Sequence, residues 1–327
     1  MKAYRAHRLA GPQGLVLEEG EEPKPGPGEV VIGVEAAGLE LADLAALSGE
    51  RPPHPRLPFT PGLQVAGRIV ARGARVRSPA VTSPVTAFVP WGGLAERVVT
   101  ASAACVAIPE SLPMAQAAAL PFAYAGAFLA FATKAGLKSG QSVLVLGAGG
   151  HSGLAAVAVA KAMGAFVIAV ASGAERLSQA QELGADRLLD AGLVSIASGV
   201  EDATEGKGVD VVYDPVGGEA SSAALAALAQ GGCIVSAGFA SGKAPILDPV
   251  KLFSRGGRLL TANTVLAAES DPDAAGAALA RVVGWVKAER FVPRIAAQFP
   301  FAEIRPAFDY LAGRKGSGAT IVTIDAS

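Results

Sequence analysis

The residues in this chain best suited to chemistry are glycines. Gly147, Gly149, Gly150 and Gly153 follow directly on the apolar run 143–146 and open segment 154–163, whose one charged residue is Lys161. Glycine has no Cβ, so the backbone N–H groups of such a turn can approach a pyrophosphate. The helix that follows adds unpaired donors and the positive end of its dipole. The common frame Gly-x-Gly-x-x-Gly requires glycine at position 152, and the chain has Ser152 there. The frame that fits is Gly147-x-x-Gly150-x-x-Gly153, with His151 and Ser152 inside it. At the end of the next apolar run, Ser172 stands where an acidic residue would hold an adenosine 2′-hydroxyl, and Arg176 lies four residues on. A guanidinium suits a 2′-phosphate, so this pair points to NADPH. In the competing reading Glu175 folds back onto a ribose hydroxyl and Arg176 is a solvated helix residue.

Such a turn needs a strand before it and a helix after it, and residues 141–172 supply both. A β-branched run leads in, 154–163 reads as a buried helix that Gly164 ends, and 166–171 reads as a second strand. The same alternation continues, so that 143–146, 166–171, 187–190, 209–213, 233–237 and 258–262 make the six strands of a doubly wound sheet. The first 110 residues look different. Short β-rich runs at 30–36, 65–71, 85–89 and 96–100, punctuated by proline and glycine, predict a barrel-like all-β region with a short helix at 41–47. A long amphipathic helix follows Asp273, and a last strand at 320–324 is expected to return to the first region.

Composition limits the function classes. With 327 residues, 17% charged and 51% hydrophobic, the chain suits two packed domains and excludes a disordered protein. A net charge of −1 leaves no footprint for nucleic acid or an anionic membrane. Cys105 and Cys233 are too few for a disulfide framework, and the start of the chain lacks a signal-peptide pattern; the expected location is cytoplasmic. Segment 111–133 carries no charged residue and is long enough for a bilayer, but Pro121 and its many alanines predict two short buried helices instead.

The segments VEAAGLELADLAALSG, FTPGLQVAGRIV, PWGGLAERVV, AGGHSGLAAVAVAKAMGA, GVDVVYDPVGG, GGCIVSAGFASG and FPFAEIRPAFDYLAGRKGSG stand in one order along nearly the whole length. In this they resemble the medium-chain dehydrogenase/reductases, and among these the zinc-free, zeta-crystallin-like quinone oxidoreductases. The resemblance implies an α/β chain: a GroES-like β-barrel catalytic domain, 1–118 and 265–327, plus a Rossmann domain, 119–264. It implies NADPH as cofactor, with Val216, Gly238 and Phe239 joining the glycine-turn residues, and reduction of quinones or α,β-unsaturated carbonyls. It also implies a homodimer: the apolar stretch 258–266 reads as the edge strand of the sheet and would pair with its copy across a two-fold axis.

Zinc-dependent relatives carry a cysteine and a histidine–glutamate pair where this chain has Glu40 and Leu63-Gln64, a set that cannot hold the metal. His7 and His54 are expected to be solvated. The zinc-free relatives carry asparagine at the position of Glu40, and some carry tyrosines where Ala45 and Arg51 stand. Their Gly-Asp-Arg-Val piece is Thr82-Ser83-Pro84-Val85 here, and the segment against the nicotinamide is Tyr124-Ala125-Gly126-Ala127. Hydride delivery to an electron-poor carbon leaves negative charge on a carbonyl oxygen. The expected donors to that oxygen are the cofactor ribose, a backbone N–H near Phe239, or the Tyr124 hydroxyl, unless Tyr124 only packs in the domain interface. These replacements leave open a second class, an NADPH-binding sensor with weak or lost turnover.

Overall fold

In a computed structural model that describes residues 1–50, 55–314 and 316–325, the chain divides into two compact units. One contains Met1–Ala125 and Val265–Ser327, the other Gly126–Thr264. The first boundary thus falls after residue 125, where the sequence reading placed it after 118.

The first unit is built on a seven-stranded sheet in the order Ile295–Pro300, Ala319–Thr323, Glu29–Leu39, Gln64–Arg72, Pro84–Phe88 and Cys105–Ala107, with Arg97–Ala101 also pairing with Glu29–Leu39. All four barrel strands read from the sequence are present, and Ala319–Thr323 does return to pair antiparallel with Glu29–Leu39. Alternation along Glu29–Leu39 turns Val30, Ile32 and Val34 into a core completed by Leu47, Ile69, Leu94 and Phe308. Thr82 stands at φ 70°, a left-handed backbone that a β-branched side chain rarely takes, at the place where the resembling family has glycine. Arg51 and His54 lie outside the described residues.

The second unit is a parallel six-stranded sheet, Arg187–Asp190, Phe166–Ala171, Ser142–Val145, Val209–Asp214, Leu228–Ser236 and Arg258–Thr261. In chain order this is 3-2-1-4-5-6, the doubly wound order that leaves a crevice between the first and fourth strands. The four inner strands are mostly buried on both faces, which is why they read as apolar runs rather than as alternation, while the edge strands Arg187–Asp190 and Arg258–Thr261 have no fully buried residue. The last strand stops at Thr261, and Thr264–Ser270 is a helix, so the predicted strand 258–266 is strand only in its first half.

Between the two units the chain runs through one helical stretch, Met114–Ala135, rather than two short helices. It contains two π-helical turns, Leu120–Ala125 and Leu129–Ala135. Pro121 cannot donate a backbone hydrogen bond, and a wider helical turn absorbs the missing bond without ending the helix. Among the described residues this is the one helix long and apolar enough to cross a membrane, and 67% of its most apolar window is buried inside the protein.

Candidate functional site

The glycine turn sits at the crevice of the second unit. Gly147, at φ 60°, turns the chain out of Ser142–Val145, and helix His151–Ala162 begins at Gly150 with no side-chain cap and no acidic residue in its first turn. An uncapped helix start presents N–H groups with no partner inside the helix, as an anionic ligand requires. Each glycine has its own reason. A Cβ on Gly153 would stand 2.1 Å from the Gly147 carbonyl oxygen, so the helix can approach the strand this closely only without one. On Gly147 a Cβ would meet Val216 Cγ2 at 2.8 Å, whereas on Gly150 it would make only an ordinary 3.6 Å contact with the Gly147 carbonyl oxygen. Gly149, which the three-glycine frame left out, lies beneath Arg176: a Cβ there would fall 2.6 to 2.8 Å from that side chain's Cβ, Cγ and Cδ. The arginine stem therefore lies across the turn. Ser172 and Arg176 are both exposed on this side, and the N–H of Gly173 donates to Asp190 at 3.2 Å.

On the other side of the crevice two loops are laced together. The N–H groups of Ala237, Ala240 and Ser241 donate to the carbonyls of Asp214, Pro215 and Val216 at 2.7, 2.9 and 2.8 Å. Phe239 is 60% exposed; a Cβ on Gly217 would meet the Lys243 carbonyl oxygen at 2.3 Å and Phe239 Cδ1 at 3.6 Å, while one on Gly238 would meet the Pro215 carbonyl oxygen at 3.2 Å. Thus Gly147, Gly150, His151, Ser152, Gly153 and Val216 are gathered at the crevice. Ser172 and Arg176 flank it on one side, and Gly238 and Phe239 on the other. Gly126 belongs to this unit too, and a Cβ there would meet Thr264 Oγ1 at 2.5 Å.

The first unit holds a buried polar chain that sequence reasoning did not assemble. Glu40 is 6% exposed and caps helix Leu41–Ser48: its side chain accepts from the Asp43 N–H, while Asp43 Oδ2 accepts from the Glu40 N–H at 2.9 Å. Gln64 Nε2 donates to Glu40 Oε1 at 2.7 Å, and Gln64 Oε1 accepts from the Phe122 N–H at 2.8 Å. Asp43 Oδ1 also accepts from the Gly62 N–H. The Glu40 carboxylate thus faces donors inside the protein. Among the described residues no group of three or more His, Cys, Asp or Glu side chains could hold a metal. Leu63, beside Gln64, helps wall an apolar cavity of about 250 Å³ together with Phe88, Pro90, Phe122, Val265 and Ala268; Glu29 and Glu269 are its acidic lining. Ala45 is half-buried on the capped helix.

Tyr124 is placed otherwise than a substrate-facing donor would be. It is fully buried in the first unit, its ring stacks on Phe291 at 5.3 Å, and its hydroxyl accepts from the Arg294 N–H at 3.2 Å. Burial pushes its pKa up to about 12, against a smaller opposing effect of the Arg294 hydrogen bond. His7 is exposed and pairs with Glu18.

Two family models match the chain: an alcohol dehydrogenase GroES-like domain over residues 26–110 and a zinc-binding dehydrogenase over 153–279. A quinone oxidoreductase-like protein 2 homolog from Nematostella vectensis is 32% identical over 98% of this chain and 89% of its own length. The chain belongs to the medium-chain dehydrogenase/reductase superfamily, in its quinone oxidoreductase branch. Within that branch it is 30% identical to the quinone oxidoreductase of Lama guanicoe, over 99% of this chain and 97% of the relative. The Thermus thermophilus quinone oxidoreductase, whose structure was solved alone and with NADPH, superposes with a TM-score of 0.83 at 33% identity, covering 99% and 100% of the two chains.

Proposed function

We propose that this chain is an NADPH-dependent oxidoreductase that reduces quinones or α,β-unsaturated carbonyl compounds without a metal. The observation that carries the reading is the crevice turn, where Gly147 and Gly153 admit a backbone approach that any side chain would block and Arg176 lies across Gly149. The NADPH complex of the Thermus thermophilus relative supports the same cofactor. When bound, the nicotinamide supplies hydride. The chain's own residues then hold the pyrophosphate on the first turn of His151–Ala162, and Arg176 faces the 2′-phosphate.

The first unit has an apolar cavity whose lining suits an uncharged conjugated ring and whose two glutamates oppose an anionic one. Charge on the acceptor oxygen is met by the cofactor ribose or by backbone near Phe239. The N–H groups of Ala240 and Ser241 are spent on Pro215 and Val216, and the Tyr124 hydroxyl is fully buried, where it accepts from the Arg294 N–H. Positioning and exclusion of water thus supply most of the rate. The assembly we propose is a homodimer through the sheet edge Arg258–Thr261, beside which Val250, Phe253 and Leu259 are 73%, 86% and 47% exposed. In light scattering, a mass of one 32.7 kDa chain would overturn it.

Steady-state oxidation of NADPH by EDTA-treated protein against a panel of naphthoquinones and enones tests the reaction. Turnover is expected. NADPH binding with no oxidation by any acceptor would favour the sensor reading instead.

A further inference from the structure

The carboxylate of Asp214 has no part in the cofactor site as read from the sequence, yet it is the group on which half of that site is built. Asp214 ends strand Val209–Asp214 and is fully buried. One oxygen accepts from the N–H groups of both Val216 and Gly217, each at 2.9 Å, and the other accepts from the Ser221 hydroxyl. These three donors curl residues 215–218 back over the strand end, with Gly217 and Gly218 at φ 75° and 61°. The curled loop in turn accepts the laces from Ala240 and Ser241, so the position of Gly238 and Phe239 also depends on it.

A doubly wound sheet binds a dinucleotide across its switch point, one mononucleotide on each half. Ser172 and Arg176 put the adenosine on the half built from the first three strands. The loops tied to Asp214 belong to the other half, which must receive the nicotinamide. Resting on the dinucleotide reading above, we infer that Asp214 is a positioning residue for the nicotinamide half of the cofactor alone. Its carboxylate accepts from Val216, Gly217 and Ser221 and from no N–H of the glycine turn. A carboxylate takes all three as donors; an amide keeps both N–H groups only on its oxygen and must turn its N–H₂ on the Ser221 hydroxyl, which then has to accept instead of donate.

The inference is tested by titrating wild type and Asp214→Asn with NADPH and, separately, with adenosine 2′,5′-bisphosphate, which fills only the adenosine half. The expected result is a rise of tenfold or more in the Kd for NADPH with the bisphosphate Kd unchanged. Equal weakening of both would show general loosening and overturn the inference, as would unchanged NADPH affinity. Should Asp214→Asn not fold, Ser221→Ala removes one donor and takes over the test: a smaller but selective loss of NADPH affinity is expected, and no loss overturns it. Wild type that binds neither probe would overturn the cofactor reading itself, and the inference with it.

Discussion

The two regions that the proposed reaction needs are built on opposite principles. In the second unit the crevice is made of missing atoms: Gly147 and Gly153 work because no Cβ stands between helix, strand and ligand. In the first unit the buried polar chain is made of atoms that are present and satisfied, with Glu40, Asp43 and Gln64 each hydrogen-bonded inside the protein. The difference teaches where each region can tolerate change. The turn fails on addition at Gly147 and Gly153, whereas a closed polar network fails on subtraction.

The largest expected effect breaks the cradle. In Gly153→Val a side chain is forced against the Gly147 carbonyl, and NADPH binding should weaken by about 100-fold or more, with an overpacking cost of about 1–3 kcal/mol. Fluorescence titration alongside urea unfolding reads both. An NADPH Kd within about twofold of wild type would mean that the turn does not hold the cofactor.

Next comes subtraction from the network. Glu40→Leu leaves the Gln64 amide and the Asp43 N–H without their acceptor in a buried place, a cost of about 1–3 kcal/mol. Glu40→Gln keeps an acceptor oxygen and should cost less. Both should leave NADPH affinity as it is, because the cradle is built from the other unit's residues. Urea midpoints and cofactor titrations of the two variants check the contrast, and it fails if Glu40→Leu unfolds at the wild-type midpoint.

A smaller effect separates Tyr124 from catalysis. Its folded pKa of about 12 lies above the ordinary tyrosine value of 10.0, and that of Cys105, also pushed up to about 12 by burial, lies above the ordinary 9.0. A raised pKa means that the folded state holds the proton more tightly. The associated stability is therefore complete below the unfolded value and is lost as pH rises toward the folded one. The urea midpoint should hold up to about pH 9 and fall between about pH 9 and 12, and Tyr124→Phe should flatten the part above about pH 10. If the hydroxyl only braces Arg294, Tyr124→Phe should keep its turnover number within about twofold; a loss of about 100-fold, in the range that general acid catalysis contributes, would restore Tyr124 as donor.

The same contrast decides what could be read from the sequence. The glycine turn and the six strands of the second unit are legible because each constraint is local: a turn, a periodicity. Gly149 fell outside the three-glycine frame because its reason is Arg176, a residue on the next helix, and Asp214 was missed because its partners come from the loop it folds. The network was out of reach for a related reason. Glu40 and Gln64 are 24 residues apart, Gln64 and Phe122 are 58 apart, and Tyr124 and Arg294 are 170 apart. No spacing rule joins such pairs, so Tyr124 looked available for chemistry until its hydroxyl was seen on a backbone N–H. Likewise the strand expected at 258–266 gives way to helix Thr264–Ser270, since an apolar run alone does not separate strand from helix.

The account rests most directly on the cofactor preference of the second unit. Titration of cofactor fluorescence with NADPH and NADH, on wild type and on Arg176→Ala, measures it. NADPH should bind wild type about tenfold more tightly than NADH, the worth of one charge-assisted contact to a phosphate at an exposed site, and Arg176→Ala should bring the two affinities together. Equal affinities in wild type, or a preference that survives Arg176→Ala, would contradict the reading of the crevice as an NADPH site held by this arginine.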